Sequence, residues 1–259
     1  MLFGLSHHRN GGGEPAPKRG RPMPPAHLWD ASDIWADLTA AYARDELSEG
    51  GLLAICLAYE IAWRVHYSQR RKSGDPYIYH PLAVYCAMFE DGVRDVATLA
   101  AALLHDTWED GLPLVLPDYP VSPEYAIWRF AQRLGVYGSD VVACLRVVTK
   151  WPEQPDKPLY LLYVGLSENE RAVVIKLYDR CHNMATICYK KSDSQKQEAQ
   201  QTLLYFPWMV KRLLRSRRLG KVLACDADQF KAAVRRRAGL MFIRSWAILA
   251  FGPIEPSNT

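Results

Sequence analysis

The stretch VATLAAALLHDTWED, residues 96–110, is rich in Ala and Leu, which have high helix propensity, and it predicts a helix over 96–108. His105 and Asp106 directly follow the apolar run 100–104, so we expect both side chains at the end of a buried segment. Outward from this stretch, apolar residues recur mainly at helical spacing, and few runs alternate with a period of two. The sequence therefore predicts an all-α protein.

The other predicted helices follow from the same apolar spacing. They lie at 52–65, 81–89, 124–134, 139–149, 168–188 and 195–214, with a further helical tail beyond 224. We expect Pro207 to kink or break the helix that contains it, because proline lacks the backbone N–H that a helix interior needs. Polar turn residues predict a loop at 70–81, and prolines predict loops at 112–123 and 151–158.

The chain of 259 residues is 49% hydrophobic and 23% charged, which is the balance of a folded protein rather than of a disordered or fibrous one. We expect a flexible Gly- and Pro-rich tail at 1–28, a helical domain at 29–215 with its motifs at about 50–190, and a basic helical extension at 216–259. Six scattered cysteines form no CxxC pair and predict reduced thiols. No apolar run reaches membrane-spanning length, so we expect a cytoplasmic protein with no membrane partner.

Positive charge is concentrated near the C-terminus. Residues 211–244 hold eleven Lys and Arg against Asp226 and Asp228, although the formal charge of the whole chain is only +4. A segment of this kind is often a solvated helical face, and it can also contact a polyanion. Two interpretations therefore stay open for 211–244: a solvated surface, or a site for RNA or an acidic partner.

His105 and Asp106, taken alone, are most often a buried histidine satisfied by a neighbouring carboxylate. A metal site needs more ligands, and His80 and Asp179 on two other predicted helices could supply them. Imidazole and carboxylate ligands together suit Mn, Fe or Zn. The candidate metal ligands are therefore His80, His105, Asp106 and Asp179.

Two more carboxylates follow this His-Asp pair. Glu109 lies one helical turn beyond His105 and Asp106, and Asp110 lies one turn beyond Asp106. They could face the same cavity without binding the metal, which is where a general acid or base would stand. The alternative is a solvated helix end.

Two groups of polar residues could bind phosphate. The first is a turn with cations and backbone donors, formed by Arg71, Lys72 and Ser73. The second is one face of the helix that carries Asp179, formed by Lys176, Asn183 and Thr186. The alternatives are a solvated charged turn and a surface ion pair, respectively.

Four segments, in order and at matching spacing, resemble the motifs of the RelA/SpoT-type HD hydrolase domain. They are RKSGDPYIYHP at 71–81, AALLHDTWED at 101–110, VVTK at 147–150 and IKLYDRCHNM at 175–184. The resemblance covers about 50–190, and the length leaves no room for the other domains of the long bifunctional enzymes. The chain thus looks like a stand-alone small alarmone hydrolase. Tyr178 departs from the family, which usually has Ala beside this Asp.

The resemblance implies an all-helical HD-domain phosphohydrolase bundle. It implies Mn²⁺-dependent removal of the 3′-pyrophosphate from guanosine tetra- and pentaphosphate, leaving GDP or GTP. By position, it assigns His80, His105, Asp106 and Asp179 as metal ligands, and Glu109 and Asp110 as catalytic residues. The substrate-binding residues that match are Arg71, Lys72, Ser73, Asn183 and Thr186, and Lys176 would offset phosphate charge.

Two alternatives to this function stay open. Related stand-alone domains accept other 3′- or 2′-phosphorylated nucleotides, including NADPH, or act as antitoxins that repair pyrophosphorylated tRNA. The basic segment 211–244 motivates the tRNA version. The second alternative is a non-catalytic module that binds the alarmone.

Overall fold

The computed structural model describes residues 31–109, 129–150, 161, 163–165 and 167–256. Nine α-helices have both ends within these residues: α1 (Ala31–Ala43), α2 (Glu49–His66), α3 (Tyr79–Glu90), α4 (Val96–Leu104), α5 (Gly138–Val148), α6 (Glu170–Ala185), α7 (Ser192–Arg215), α8 (Leu219–Leu223) and α9 (Ala227–Phe251). The described part contains no β-strand, and an isolated bridge joins Arg70 and Pro76. The all-α prediction is confirmed.

Several sequence predictions fall outside the described residues. They are the flexible tail at 1–28, the proline-rich loops at 112–123 and 151–158, the start of the helix predicted at 124–134, and the catalytic assignment of Asp110. None of the helices that the structure does describe is both long and apolar enough to span a membrane.

The helix predicted over 96–108 is interrupted, which corrects the prediction. Helix α4 ends at Leu104, and His105 and Asp106 form a turn before 107–109 become helical again. The Nδ1–H of His105 donates to the carbonyl of Ala102 (2.8 Å), and the Thr107 hydroxyl donates to the carbonyl of Leu104 (2.5 Å). These side chains satisfy carbonyls at the end of α4 and so favour its termination there.

Helix α7 continues through Pro207, so the expected break does not occur. Buried side chains lie on both sides of the proline, with Phe206 and Met209 almost completely inaccessible. Burial of such side chains against the rest of the bundle offsets the cost of about 3 kcal/mol that a proline adds to a helix interior.

Helix α4 forms the centre of the core. Every residue from Val96 to Leu104 is buried, and the helix packs against α2, α3, α5 and α6. Gly51 of α2 permits this close approach, because a Cβ there would stand 2.7 Å from Cγ2 of Val96. The caps are local: Asp95 accepts from the N–H of Thr98 at the start of α4, and Asn169 accepts from Ala172 at the start of α6. The core thus fixes the position of α4 among its neighbours.

The C-terminal helix α9 packs against α6 and α7. Its Phe230 is fully buried, and the ring of Tyr178 stacks on it with centroids 6.1 Å apart. The Tyr178 hydroxyl donates to Oδ2 of Asp91 (2.8 Å), and Arg237 of α9 donates to the same oxygen. A buried carboxylate thus joins the end of α3 to α6 and α9.

We predict that Asp91→Asn destabilises the fold. The substitution keeps the shape of the side chain but removes the buried charge that pairs with Arg237. Removing one partner of a buried ion pair lowers the free energy of unfolding by about 3 kcal/mol at the lower end of the usual range. We expect this lower value because the Arg237 side chain is partly exposed. Urea denaturation measures the change in the free energy of unfolding.

The matched control is Glu60→Gln. This residue pairs with Arg64 on the exposed face of α2, and such pairs contribute about 0.3–0.5 kcal/mol. Equal losses in the two variants would contradict the role assigned to Asp91.

Candidate metal centre and its cleft

Three elements bring the four predicted metal ligands to one point. His80 comes from the first turn of α3, His105 and Asp106 from the turn after α4, and Asp179 from the middle of α6. The Nε2 atoms of His80 and His105 lie 3.2 Å apart. Nε2 of His80 lies 3.2 Å from Oδ1 of Asp179 and 3.6 Å from Oδ2 of Asp106. Nε2 of His105 lies 3.3 Å from Oδ1 of Asp106.

These separations fit a shared coordination sphere. Ligand atoms bound to one ion at about 2.0–2.2 Å lie about 3 Å from their neighbours. Ligand atoms of His80, His105 and Asp106 lie within 4.8 Å of one another, and Asp179 reaches both imidazoles. His80 and His105 are each only 2% exposed, and Asp179 is 5% exposed. Two buried imidazoles with two carboxylates could hold Mn, Fe or Zn.

Burial and a neighbouring charge set the protonation states of the candidate ligands. Burial lowers the pKa of His80 to about 4, so its ring is neutral at pH 7. Burial alone would raise the pKa of Asp179, but the charge of the Lys176 ammonium holds it well below its ordinary value. Lys176 Nζ lies 2.8 Å from Oδ2 of Asp179. Neutral imidazole and ionised carboxylate are the forms that bind a metal.

Hydrogen bonds fix the orientation of the carboxylates. The hydroxyl of Tyr77 donates to Oδ2 of Asp106 (2.8 Å), and the amide of Asn183 donates to Oδ1 of Asp179. Such partners around a metal site typically tune its affinity. Tyr77 lies in the RKSGDPYIYHP segment. Its contact with Asp106 joins residues 29 positions apart, so local sequence spacing does not predict it.

Three of the four candidate ligands, His80, Asp106 and Asp179, line an open cleft of about 520 Å³. All of the predicted substrate residues line this cleft: Arg71, Lys72, Ser73, Lys176, Asn183 and Thr186. Five further lining residues had no role predicted from the sequence: Tyr77, Lys150, Tyr189, Lys190 and Glu198. Arg70, which precedes the predicted phosphate turn, lines the cleft as well. Among the described lining residues, cations outnumber carboxylates even before a metal is counted, so the cleft suits a polyanion.

Arg71 is held in place at this cleft. Its guanidinium donates to Oδ1 of Asn183 (3.1 Å) and lies 3.5 Å from the hydroxyl of Thr186. The guanidinium carbon lies 5.8 Å from the centroid of the Tyr77 ring. These contacts preorganise one cation beside the metal ligands.

Glu109 also lines the cleft. Its Oε1 accepts from the backbone N–H of Lys150 (2.6 Å). Desolvation at the cleft wall raises the pKa of Glu109 above its ordinary value. A raised pKa makes a carboxyl group better suited to hold and release a proton.

A second cavity of about 710 Å³ adjoins the cleft, and four residues border both: Arg71, Ser73, Thr186 and Tyr189. Tyr178 lines this second cavity. Its hydroxyl binds Asp91, so the ring is directed towards α9 and not into the cleft. Tyr178 therefore does not enter the cleft beside the candidate ligands.

The similar proteins found by comparison share one name, GTP pyrophosphokinase. No protein-family model matches the chain. Over 163 residues, 60% of this chain, it is 39% identical to the GTP pyrophosphokinase of Streptomyces coelicolor. The chain is similar to GTP pyrophosphokinases. It is also 37% identical over 147 residues to a probable GTP pyrophosphokinase of Mycobacterium leprae and 37% identical over 153 residues to GTP pyrophosphokinase rsh of Brucella melitensis.

These matches cover a small part of the relatives. The aligned region is 56–60% of this chain, but only 17–19% of the three proteins. The chain thus spans less than a fifth of the length of the relatives it matches.

We predict that Mn²⁺ stabilises the protein through this cluster. A ligand that binds only the folded state raises the free energy of unfolding by about 2.7 kcal/mol at a concentration 100 times its Kd. Urea denaturation of metal-stripped protein, with and without Mn²⁺, measures the effect. Asp179→Asn removes one ligand and should abolish most of it.

Tyr178→Phe serves as the control, because it alters a buried neighbour on the same helix without removing a ligand. It should keep the full response to Mn²⁺. An undiminished response in Asp179→Asn would contradict the proposed ligand set.

Proposed function

We propose that this protein hydrolyses the 3′-pyrophosphate of guanosine tetra- and pentaphosphate in a Mn²⁺-dependent reaction that leaves GDP or GTP. The observation that carries the proposal is the convergence of two imidazoles and two carboxylates at the wall of a cation-lined cleft. The motif resemblance to an HD-domain phosphohydrolase and the similarity to GTP pyrophosphokinases support the same class of nucleotide.

The metal would be held by His80, His105, Asp106 and Asp179. When bound, Mn²⁺ supplies Lewis acidity that activates water and offsets charge on phosphoryl oxygens. The residues around it hold the substrate: Arg71 and Lys72 from the loop before α3, and Lys176 from α6. Their charges match the two pyrophosphate groups of the alarmone.

The reaction needs a proton to move. Water adds its oxygen to the phosphorus next to the ribose 3′ oxygen, the bond between that phosphorus and the 3′ oxygen breaks, and the 3′ oxygen takes up a proton. Glu109 supports this step, because its raised pKa suits a group that holds and releases a proton. Asp110, next in the chain, is proposed for the same machinery.

The ligand chemistry favours hydrolysis over synthesis. The site itself offers two imidazole ligands, whereas sites that transfer groups from nucleoside triphosphates usually hold Mg²⁺ by one or two carboxylates and the phosphates themselves. A two-imidazole site suits a more tightly held Mn, Fe or Zn ion.

We predict that Glu109→Gln lowers kcat for guanosine tetraphosphate about 10²–10⁴-fold, the usual contribution of a general acid or base. Its affinity for Mn²⁺ should stay close to wild type, because Glu109 is not in the ligand set. Asp106→Asn should lose both turnover and metal affinity. Ion chromatography of released pyrophosphate measures turnover, and calorimetry measures metal binding.

Undiminished activity in both variants would contradict the proposal. Tight binding of the alarmone by the wild type with no turnover in Mn²⁺ would also contradict it, and would favour a non-catalytic binding module.

A second substrate class, pyrophosphorylated tRNA, is favoured by exposed cations around the junction of α7 and α8. Part of the segment 211–244 is used within the fold: Arg212 donates to the carbonyl of Gly165, and Arg244 donates to the carbonyls of Met184 and Ala185. Other cations of the segment are exposed: Lys211, Arg215, Arg217, Arg218 and Lys221. Such exposed cations provide the electrostatic contact that RNA backbones need.

We predict that replacing Arg215, Arg217, Arg218 and Lys221 together by Gln lowers kcat/KM for pyrophosphorylated tRNA and weakens its salt dependence. The same variant should hydrolyse guanosine tetraphosphate normally, because none of the four lines the cleft. Equal effects on both substrates would count against an RNA surface. Deleting 211–259 is unsuitable as a test, because α9 contributes Phe230 and other buried residues to the core.

A further inference from the structure

The imidazole of His80 is contacted at both ring nitrogens by side chains of one helix, α6. Its Nε2 lies 3.2 Å from Oδ1 of Asp179, and its Nδ1 lies 2.8 Å from Nδ1 of His182. Asp179 and His182 are three residues apart and therefore project from neighbouring positions on one face of α6. His182 thus contacts His80 on the side away from the ligand cluster.

The chemistry of imidazole decides which ring donates in this contact. An imidazole that binds a metal through Nε2 is neutral and carries its proton on Nδ1. The Nδ1–H of His80 is then a donor, and Nδ1 of His182 is the acceptor at 2.8 Å. His182 consequently carries its own proton on Nε2, the ring nitrogen that remains.

His105 meets the same requirement in another way. Its Nδ1–H donates to the backbone carbonyl of Ala102 at 2.8 Å, an acceptor that no side-chain substitution removes. The acceptor for His80 is instead a side chain that can be exchanged. The two imidazoles of the cluster therefore differ in how their tautomers are fixed, and His80 is the one that depends on another side chain.

Packing also restricts the His80 ring. The rings of His80 and His182 lie with centroids 4.8 Å apart, and the His80 and His105 rings meet edge to face at 5.0 Å. His182 borders the second cavity, so it separates that cavity from the metal ligand. Without an acceptor at this position, the buried Nδ1–H of His80 would lose its hydrogen bond and the ring its fixed orientation.

We propose that His182 is a positioning residue for the metal centre: it accepts the Nδ1 proton of His80 and so holds Nε2 towards Asp106, Asp179 and His105. This inference rests on the metal site of the proposed function. Removing a partner of this kind usually lowers metal affinity about 10–100-fold.

The test compares two substitutions that differ in one property. His182→Asn places an amide oxygen on Cγ, where the histidine has Nδ1, and so keeps an acceptor. His182→Phe keeps a ring of similar size and removes the acceptor, and His182→Leu does so with a smaller side chain in case the phenylalanine does not fold. Isothermal titration calorimetry measures the Kd for Mn²⁺ of each full-length, metal-stripped protein, with urea denaturation in EDTA as the folding control.

We expect His182→Phe and His182→Leu to bind Mn²⁺ about 10–100-fold more weakly than wild type, and His182→Asn to recover most of the loss. Tyr178→Phe, on the same helix, should bind like wild type. Wild-type affinity in the variants without an acceptor, or equal losses in all three His182 variants, would overturn the positioning role and leave the proposed function intact. A wild-type protein that does not bind Mn²⁺ would instead overturn the proposed function.

Discussion

The placement of two carboxylates, one buried and one partly buried, beside two buried imidazoles is the constraint on which the rest of this structure depends. An unpaired buried carboxylate is costly, so each one needs a charge or donor within reach. Asp106 has the Tyr77 hydroxyl, and Asp179 has Lys176 and the amide of Asn183. The helices are arranged so that these partners meet: α3, the end of α4 and α6 all pack around the same point. A divalent cation would complete the compensation, because it attracts both carboxylates and accepts both imidazole lone pairs.

The early end of α4 is a consequence of the same constraint. A continuous helix through 105 and 106 would carry these two side chains along the helix surface in fixed register. The turn lets His105 bond back to Ala102 while its Nε2 reaches the cluster with Asp106. The apolar core extends up to this turn, because every residue of α4 is buried. The buried core holds α4 in place. The chain turns after Leu104, and this turn directs the side chains of His105 and Asp106 towards the cluster.

The C-terminal helix explains why Tyr178 stands where the motif that this segment resembles usually has Ala. A tyrosine at this position packs between α6 and α9, where its ring stacks on Phe230 and its hydroxyl binds Asp91. The side chain therefore serves the attachment of α9, which also carries Arg237 to the same carboxylate. Part of the positive charge that stands out in the sequence is used in such internal contacts, and other cations are exposed around the junction of α7 and α8 and on α9.

Much of the fold could be predicted from the sequence, because apolar spacing, caps and prolines are local signals. The all-α class followed from that spacing, and the meeting of His80, His105, Asp106 and Asp179 followed from motifs with a known order. The end of α4 was not predicted, because the high helix propensity of the stretch hides the bonds that His105 and Thr107 make to carbonyls three residues back. The continuity of α7 at Pro207 was not predicted, because it depends on tertiary burial that outweighs local propensity. The contact of His182 with His80 spans 102 positions, so its role in the site has no local signal.

The measurement that tests the central claim most directly is hydrolysis of guanosine tetraphosphate in ¹⁸O-labelled water, with Mn²⁺ and without any nucleoside triphosphate. Mass spectrometry then follows the label in the products. The account predicts that the released pyrophosphate carries one ¹⁸O and that the remaining GDP is unlabelled. It also predicts that the reaction stops when EDTA removes the metal. Absence of pyrophosphate release, or release that continues unchanged in EDTA, would contradict it.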